Sequence, residues 1–109
     1  SLGQWAALRT LDRHGPMTPS ELAAHEKVQP PSMTRIIAKL DEHGYVARTP
    51  DPTDGRQVVV SATAEGRALL ADDRRRKDKW LSLRLTTLSS ADRAALATAL
   101  PVLEKLSRS

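Results

Sequence analysis

The sequence contains no cysteine and no phenylalanine, and three of its 109 residues are aromatic. Without cysteine, the chain cannot sense oxidants through a thiol or bind zinc through thiolates. So few aromatic side chains leave no stacking platform for unpaired bases, which argues against RNA-recognition and single-strand-binding modules. No apolar run approaches the length of a membrane span, and the lack of cysteine is consistent with a reducing cytosol. We therefore expect a cytoplasmic protein.

The residue patterns of enzyme active sites are also absent from the sequence. It shows no ordered Ser, His and Asp set, no phosphate-binding glycine loop and no carboxylates paired for acid–base catalysis. His14, His25 and His43 are well separated and, without cysteine, form a poor set of metal ligands. His14 and His43 each precede a glycine, so we interpret them as helix-end residues that complement the helix dipole. The sequence thus predicts neither an enzyme nor a bound metal or cofactor.

Acidic residues are scarce in the last third of the chain, and the positive charge is concentrated there. The net charge is +4, yet acids and bases are balanced over residues 1–60. Residues 61–73 carry two more acids than bases, whereas residues 74–109 carry six more bases than acids. A pI of about 10.0 is therefore a weak indication of DNA binding. We interpret the basic run 74–79 as a solvated helix face, partnered by acids three or four residues away.

What the sequence does contain is a helix-turn-helix pattern near its start. Apolar residues at helical spacing predict a first helix over Ser1–His14. Thr18 and Glu21 form a capping box that opens a short helix. A second helix follows Gln29 and runs to His43, and its apolar stripe at spacings i, i+3, i+4 and i+7 predicts its buried face. The stripe consists of Met33, Ile36, Ile37 and Leu40.

The opposite arc of this second helix is small and polar, which suits contact with DNA. At about 100° per residue, the arc carries Pro31, Thr34, Arg35, Ala38 and Lys39. An arginine can make a bidentate contact to guanine, and a short hydroxyl can contact phosphate or base edges. A merely solvated surface charge is the alternative interpretation of Arg35, but its position opposite the apolar stripe favours the DNA role.

Two strand patterns follow the second helix. Residues Tyr45–Thr49 and Gln57–Ala62 are rich in Val and Thr and predict a hairpin. Between them, an Asp-Gly pair gives a turn signal, and two prolines favour a long exposed loop. Loop tips often carry charge, which is the alternative interpretation of Arg56 in this loop, but its Asp-Gly-Arg context favours a functional role. The order of patterns predicts a mainly α fold with a small β-wing at about residues 45–62, a winged helix-turn-helix.

Two further helices are predicted in the C-terminal part of the chain. Thr63 caps a long helix over residues 64–85, and Ser89 opens a last helix. Pro101 lies inside the last helix and should kink it or remove one backbone hydrogen bond. Both tryptophans are expected in the core. The last helix carries a leucine stripe that sequence alone leaves as either core or dimer seam. Its members are Leu96, Leu100, Leu103 and Leu106.

Several short segments together resemble the MarR family of bacterial winged helix-turn-helix regulators, over nearly the whole chain. They are Leu22–Ala23, Met33–Leu40, Gly44–Arg48, Asp54–Arg56 and Val60–Gly66. Any single segment is weak, but the order Asp-x-Arg, strand and Thr-x-x-Gly helix start is fairly specific. The resemblance implies a DNA-binding domain over residues 1–66 and C-terminal dimerisation helices over residues 67–109. It also leads us to expect that the family's first, N-terminal dimerisation helix is missing from this sequence.

The resemblance further implies a function. We expect a homodimeric, sequence-specific transcriptional regulator that binds a near-palindromic operator in double-stranded DNA. By the same resemblance, it is a repressor whose repression is relieved by a small aromatic or phenolic acid. This acid would bind between the winged helix-turn-helix, called the reading head below, and the dimer helices. The alternative is a winged-helix module for protein–protein interaction without an operator of its own. Strong, salt-sensitive binding to duplex DNA would distinguish the two.

The same resemblance implicates six residues in DNA binding. On the second helix, Ser32, Thr34 and Arg35 would lie at the major groove, and Lys39 would lie near a phosphate. From the wing, the arginine would enter the minor groove, while the aspartate would orient the loop through a nearby basic residue. In chain order these residues are Ser32, Thr34, Arg35, Lys39, Asp54 and Arg56.

Overall fold

The computed structural model describes residues 2–107 and shows, within them, five helices and a two-stranded antiparallel sheet. In chain order the elements are α1 (Leu2–His14), α2 (Pro19–Glu26), α3 (Pro30–Glu42), β1 (Val46–Pro50), β2 (Val58–Ala62), α4 (Ala64–Leu85) and α5 (Ser90–Ser107). These elements confirm the predicted fold class, mainly α with a small β-wing. None of the helices in the described range is long and apolar enough to cross a membrane.

The contacts within the chain define two units that divide inside α4. The first unit, residues 1–72, contains α1, α2, α3, the sheet and the start of α4. The second unit, residues 73–109, contains the rest of α4 and α5. The six residues implicated in DNA binding all belong to the first unit.

The hydrophobic core of the first unit lies where the first three helices meet the sheet. The predicted stripe of α3 supplies Met33, Ile37 and Leu40, each at most 3% exposed, while Ile36 packs at the edge. Fully burying a side chain of this size stabilises a fold by about 1.5–3 kcal/mol, so the stripe fixes which face of α3 points inward. The remaining core members are Ala7, Leu8, Leu11, Leu22, Ala23, Val46, Val60 and Leu70.

The predicted capping box opens α2. The Glu21 N–H donates to Thr18 Oγ1 at 3.1 Å, and the Thr18 N–H donates to Glu21 Oε1 at 3.0 Å. Hydrogen bonding from Thr18, chiefly from its backbone N–H and then from its side chain, holds the pKa of Glu21 below its ordinary value. Pro19 at the first helical position removes no bond, because that N–H would have no partner inside the helix.

The end of α3 sets the start of the sheet. Gly44 adopts a φ of +77°, which L side chains rarely adopt. Its N–H donates to Asp41 O at 3.0 Å, and the Tyr45 N–H donates to Leu40 O at 2.9 Å, a Schellman arrangement. The sequence pattern predicts a strand from Tyr45. Because the Tyr45 N–H closes the helix instead, β1 begins one residue later, at Val46.

The wing is a regular hairpin with a third backbone segment at its edge. Val46 lies opposite Ala62 and Pro50 lies opposite Val58, which fixes the register along the whole pair. Met17, just before α2, exchanges backbone hydrogen bonds with Val60 at 3.0 and 2.7 Å. The helix-turn-helix and the wing are therefore joined by main-chain bonds as well as by the core.

A threonine fixes the start of α4 to the end of α3. Thr63 Oγ1 donates to Gly44 O at 2.7 Å and accepts the Gly66 N–H at 3.0 Å. The Thr63 backbone N–H donates to Tyr45 O at 3.0 Å. Gly66 is buried, and a Cβ at this position would overlap the Tyr45 carbonyl oxygen. Glycine therefore allows the first turn of α4 to approach the end of α3 this closely.

In the second unit, the predicted burial of Trp80 is wrong. Trp80 is 59% exposed, and the guanidinium of Arg84 lies 5.3 Å from its ring centroid. Leu83, one turn further along α4, is also exposed, at 61%. The apolar side chains at this end of α4 therefore face solvent together. Trp5, by contrast, packs against the core of the first unit as predicted.

The helix α5 continues through Pro101 as far as Ser107. Among its described residues none is buried, and Leu100, Leu103 and Leu106 are all exposed. The leucine stripe is therefore not core within a single chain. An exposed row of leucines at helical spacing is an unpartnered apolar face.

Candidate nucleic-acid interface

The helix α3 turns its polar arc to solvent because its apolar stripe is buried. Thr34, Arg35 and Lys39 are exposed, and Ser32 is half-buried. The helix starts at Pro30 after Gln29, which makes no side-chain cap bond. Four of the six implicated residues thus lie on one helix, and at least three of them face away from the core.

The Arg35 side chain is only loosely held. Its Nη2 donates to Ser32 Oγ at 3.4 Å, a long bond in an exposed position. A hydrogen bond of this length in water is weak, so the guanidinium can exchange it for a contact to a base. A guanidinium carries five N–H donors in a planar fork, which matches the two acceptors of guanine in the major groove.

The Thr34 hydroxyl is oriented by its own helix. Thr34 Oγ1 donates to Pro30 O at 3.0 Å. With its proton used, the oxygen can only accept, and base amino groups are the donors that it could meet in the major groove. The Thr34 methyl group offers an apolar contact beside it.

Lys39 has an acid one turn further along the helix. Its Nζ lies 3.5 Å from Glu42 Oε2, and both side chains are exposed. Exposed ion pairs of this kind contribute little and are screened by salt. Lys39 can therefore release Glu42 and approach a phosphate, as a mobile point charge rather than as a fixed fork.

Two aspartates shape the wing loop between Pro50 and Val58. Asp51 Oδ1 accepts from the backbone N–H and the hydroxyl of Thr53, both at 2.9 Å. The hydrogen bond from the Thr53 N–H, followed by that from its hydroxyl, lowers the pKa of Asp51. The loop closes with the Asp51 N–H donating to Gln57 O at 2.9 Å. A loop tied in this way presents its tip in a defined conformation.

Asp54 and Arg56 form the tip of the wing. Asp54 Oδ1 accepts from the Arg56 backbone N–H at 3.1 Å and from its Nε at 3.4 Å. The Arg56 side chain is 93% exposed. The implicated residues therefore form two groups, four on α3 and two on the wing, and the basic partner of Asp54 in this loop is Arg56 itself.

Sequence reasoning overlooked Arg48 on β1. Its Nε lies 3.6 Å from Asp41 Oδ2 near the end of α3, and both side chains are about half-exposed. Arg48 also lines a cleft of about 220 Å³ together with Thr34 and Val58. The signal was present in the strand period, because Arg48 shares a strand face with the buried Val46 and so points toward α3.

A cavity of about 270 Å³ lies elsewhere in the first unit. It is mostly apolar, with Trp5 and Leu8 of α1 on its walls, and its polar members include His43 and Tyr45. The rings of His43 and Tyr45 stack with centroids 5.6 Å apart, and His43 Nδ1 lies 2.8 Å from Lys39 O. Apolar walls with a few polar groups are the lining typical of small-molecule sites. The full lining is Gln4, Trp5, Leu8, Leu40, His43, Tyr45 and Leu69.

The histidines do not assemble a metal site. His14 and His25 lie with ring centroids 5.1 Å apart, and His25 Nδ1 lies 2.9 Å from Glu26 Oε2. The same Glu26 oxygen accepts from the Thr10 hydroxyl at 2.8 Å. Within residues 2–107, no group of three or more histidines, aspartates or glutamates is arranged to hold a metal ion.

Comparison with known proteins identifies the relatives of this chain. The model of the MarR family matches residues 1–58. A helix-turn-helix-type transcriptional regulator of Mycobacterium tuberculosis is 50% identical over 99 residues, which are 91% of this chain and 69% of that protein. A helix-turn-helix-type transcriptional repressor of the same species is 36% identical over 69 residues, which are 63% of this chain and 50% of that protein.

Solved structures share the fold. The crystal structure of a transcriptional regulator from Thermotoga maritima superposes with a TM-score of 0.81 at 24% sequence identity. The superposition covers 97% of this chain and 75% of that one. The likeness shows that the two chains share a fold.

Proposed function

The chain belongs to the MarR family, and we propose that it acts as a homodimeric repressor on a near-palindromic operator in double-stranded DNA. Members of the family are DNA-binding transcriptional regulators and not enzymes. The finer points, namely the operator, the dimer and the effector, are our proposals. The observation that carries the proposed DNA binding is the presence of Arg35 on α3 and Arg56 on the wing within one unit.

The two arginines suit two different grooves. Arg35 stands on a helix, and a helix fits the major groove, where bidentate arginine contacts read guanine. Arg56 stands at the tip of a narrow hairpin loop, which suits the minor groove, where arginine responds to width and potential. Lys39, Ser32 and Thr34 would add phosphate and base contacts along α3. A single unit would thus span adjacent grooves of one duplex.

The dimer is proposed from α5. Its exposed leucines form an apolar face that no other part of residues 2–107 covers, and a second copy offers an identical face. A two-fold interface of this kind requires an operator with two-fold sequence symmetry, with half-sites centred about 34–36 Å apart or a multiple of that distance. A bacterial regulator of this type would act in the cytoplasm, where the chromosome lies.

Repression is proposed from the name of a relative, the Mycobacterium tuberculosis repressor that is 36% identical over 69 residues. A repressor needs a signal that lowers its affinity for DNA. The 270 Å³ cavity beside His43 is our candidate for the effector site, with a small aromatic acid as the ligand class. To act as an effector, the ligand must bind more tightly to a state in which α3 is misplaced for the operator.

The effector site can be tested with the tryptophans. Trp80→Phe removes the exposed tryptophan and leaves Trp5, which lines the cavity, as the single fluorophore. Titration with benzoate and 2-hydroxybenzoate should then quench or shift the Trp5 emission, and the same titration should release bound duplex. Leu69→Phe, which enlarges a partly buried wall of the cavity without adding a tryptophan, should weaken both responses. Release of DNA without any change at Trp5 would move the effector site elsewhere.

The operator can be found by selecting bound duplexes from a random pool at about physiological salt. The proposal predicts a near-palindromic sequence and one dimer per selected duplex, measured by sedimentation. An enriched sequence without two-fold symmetry, or binding of one chain per site, would contradict the dimeric mode. No enrichment at all would contradict sequence-specific recognition by this chain.

A further inference from the structure

The cleft between α3 and the wing contains one charged side chain, that of Arg48. Its other walls come from the start of α2, from α3 and from β2, and they are apolar apart from one hydroxyl. The cleft measures about 220 Å³ and opens on the protein surface. Its lining residues are Pro19, Thr34, Ile37, Arg48, Val58 and Val60.

We propose that Arg48 binds a phosphate of the DNA strand that separates the two grooves. The inference rests on the proposed docking, with α3 in the major groove and Arg56 in the adjacent minor groove. Neighbouring grooves of one duplex are divided by a single sugar–phosphate strand. That strand must cross the protein between α3 and the wing, and the cleft that contains Arg48 lies there.

Among the lining side chains, Arg48 is the one able to donate to a phosphate oxygen. The Thr34 hydroxyl already donates to Pro30 O at 3.0 Å. The remaining lining side chains are hydrocarbon. Pro19 and Val58, which is 43% exposed, form apolar walls against which a deoxyribose can pack. The cleft therefore combines a surface for sugar with one donor for phosphate.

The ion pair that Arg48 makes in the free protein is easily exchanged. Its Nε lies 3.6 Å from Asp41 Oδ2, and the two side chains are 46% and 47% exposed. An exposed ion pair at this distance is weak, and 3.6 Å is too long for a hydrogen bond. Arginine and phosphate form shorter, charge-assisted and often bidentate hydrogen bonds. In the free protein, Asp41 thus orients the Arg48 side chain, and a phosphate replaces Asp41 when DNA binds.

The competing explanation is structural, because the Asp41–Arg48 pair also ties β1 to the end of α3. The two explanations differ for Asp41→Asn. If Arg48 serves DNA, removing the carboxylate frees the guanidinium, and binding is as tight as in the wild type or tighter. If the pair mainly stabilises the fold, D41N weakens DNA binding as much as Arg48→Gln does, and it lowers the urea concentration at the midpoint of unfolding.

The first experiment measures the salt dependence of binding to a random duplex. Removing one phosphate contact should reduce the slope of log K against log salt by about 1 for Arg48→Gln. Affinity should fall about tenfold at about 0.15 M salt, by the same factor on random and on selected duplexes. Arg48→Lys should keep most of the slope while binding more weakly, since it retains the charge without the fork.

The matched control is Arg9→Gln, which removes the same charge from an exposed position on α1. It should leave the slope unchanged and the affinity within about twofold, because α1 holds none of the residues that we propose to contact DNA. Equal slopes for R48Q and the wild type would overturn the proposal. So would an equal loss of slope in R9Q, since general charge and not a contact would then explain the effect.

The second experiment locates the phosphate. Duplexes from the selection are prepared with single phosphates replaced by neutral methylphosphonate. One position at the boundary of the two grooves should weaken wild-type binding about tenfold and leave R48Q unaffected. If every replacement weakens the two proteins equally, Arg48 contacts no phosphate. The random-duplex slopes require no operator, so a failure of this inference remains distinguishable from a failure of the selection.

Discussion

At the scale of single residues, α3 holds the side chains that we propose for base reading and for phosphate binding in different ways. Arg35 is held by one long bond to Ser32, and Lys39 by one exposed ion pair to Glu42. The first side chain is a planar fork and the second is a point charge. The two should therefore contribute differently to specificity.

Arg35→Ala should weaken binding to the selected operator by about 1–3 kcal/mol and leave binding to random duplex nearly unchanged. The matched variant Lys39→Ala should weaken binding to both duplexes by a similar factor. Fluorescence anisotropy with labelled duplexes measures all four affinities. Equal losses of Arg35→Ala on the two duplexes would exclude a base-reading role.

Gly66 is a second residue at which the structure makes a sharp demand. A Cβ there would overlap the Tyr45 carbonyl oxygen, and this neighbour is backbone that cannot rotate away. Gly66→Ala should therefore lower the free energy of unfolding by about 1–3 kcal/mol, measured by urea denaturation. Gly3→Ala is the control, because its new methyl would meet the flexible end of Ile36 at 3.2 Å. Similar midpoints for the two variants would show that α4 shifts without penalty.

At the scale of elements, the helices were predictable because their signals are local. The capping box at Thr18, the stripe of α3 and the glycine after His43 each act within a few residues. The first residue of β1 was not predictable in this way, since Tyr45 satisfies the strand pattern equally well. Its N–H is taken by Leu40 O, a choice made by the end of the helix.

The site was predictable in part for the same reason. A polar arc on α3 follows from helical spacing, and the exposure of Thr34, Arg35 and Lys39 agrees with it. Arg48 escaped notice because its neighbour Asp41 lies seven residues earlier on another element, across the turn at Gly44. Trp80 was misjudged because burial depends on a packing partner, and the sequence of α4 alone does not tell whether one exists.

The capping box of α2 should make the free energy of unfolding depend on pH. Thr18 lowers the pKa of Glu21 in the folded state, so the ionised carboxylate stabilises the fold above its ordinary pKa of 4.5. This contribution is lost as the pH falls through the lowered value. Glu21→Gln keeps an acceptor without the titration, so its stability relative to the wild type should rise on acidification. Urea denaturation from about pH 3 to about pH 7 measures this, and parallel curves would contradict it.

Through Arg56, the wing should make the affinity for DNA depend on the sequence that flanks the operator. Arg56 is almost fully exposed, and Asp54 holds its backbone and its Nε. Arg56→Ala should weaken binding most when the flanks are A·T-rich, where the minor groove is narrow and its potential most negative. Quantitative footprinting on A·T-rich and G·C-rich flanks compares the losses. An unchanged footprint on both would remove the wing from the interface.

At the scale of the whole molecule, charge and apolar surface are distributed unevenly along the chain. Residues 1–60 are electrically balanced, while residues 74–109 hold a marked excess of bases. The reading head must therefore bind DNA through a few well-placed basic side chains and not through a general positive field. The exposed leucines of α5 lie in the same segment as the excess charge.

The dimer can be tested on that helix. Leu103→Glu combined with Leu106→Glu should convert the dimer to monomers, because it places acids on the apolar face of α5. The first unit has its own core, so its helices should remain folded by circular dichroism. Thr98→Glu is the control, since it lies on the opposite arc at about 100° per residue. Analytical ultracentrifugation measures the outcome, and unchanged sedimentation of the double variant would exclude this interface.

The bond from Thr63 to Gly44 has a consequence for the design of hybrid regulators. A recognition helix moved alone into another winged-helix scaffold would lose the Thr63 hydroxyl, which donates to the Gly44 carbonyl, and Gly66, which makes room for Tyr45. The contacts at the end of the transplanted helix would then come from the host protein, which would set the angle of the helix. A graft that carries residues 30–66 as one cassette keeps donor, acceptor and clearance together. The smallest exchangeable part of this reading head is therefore the helix with its wing and the first turn beyond.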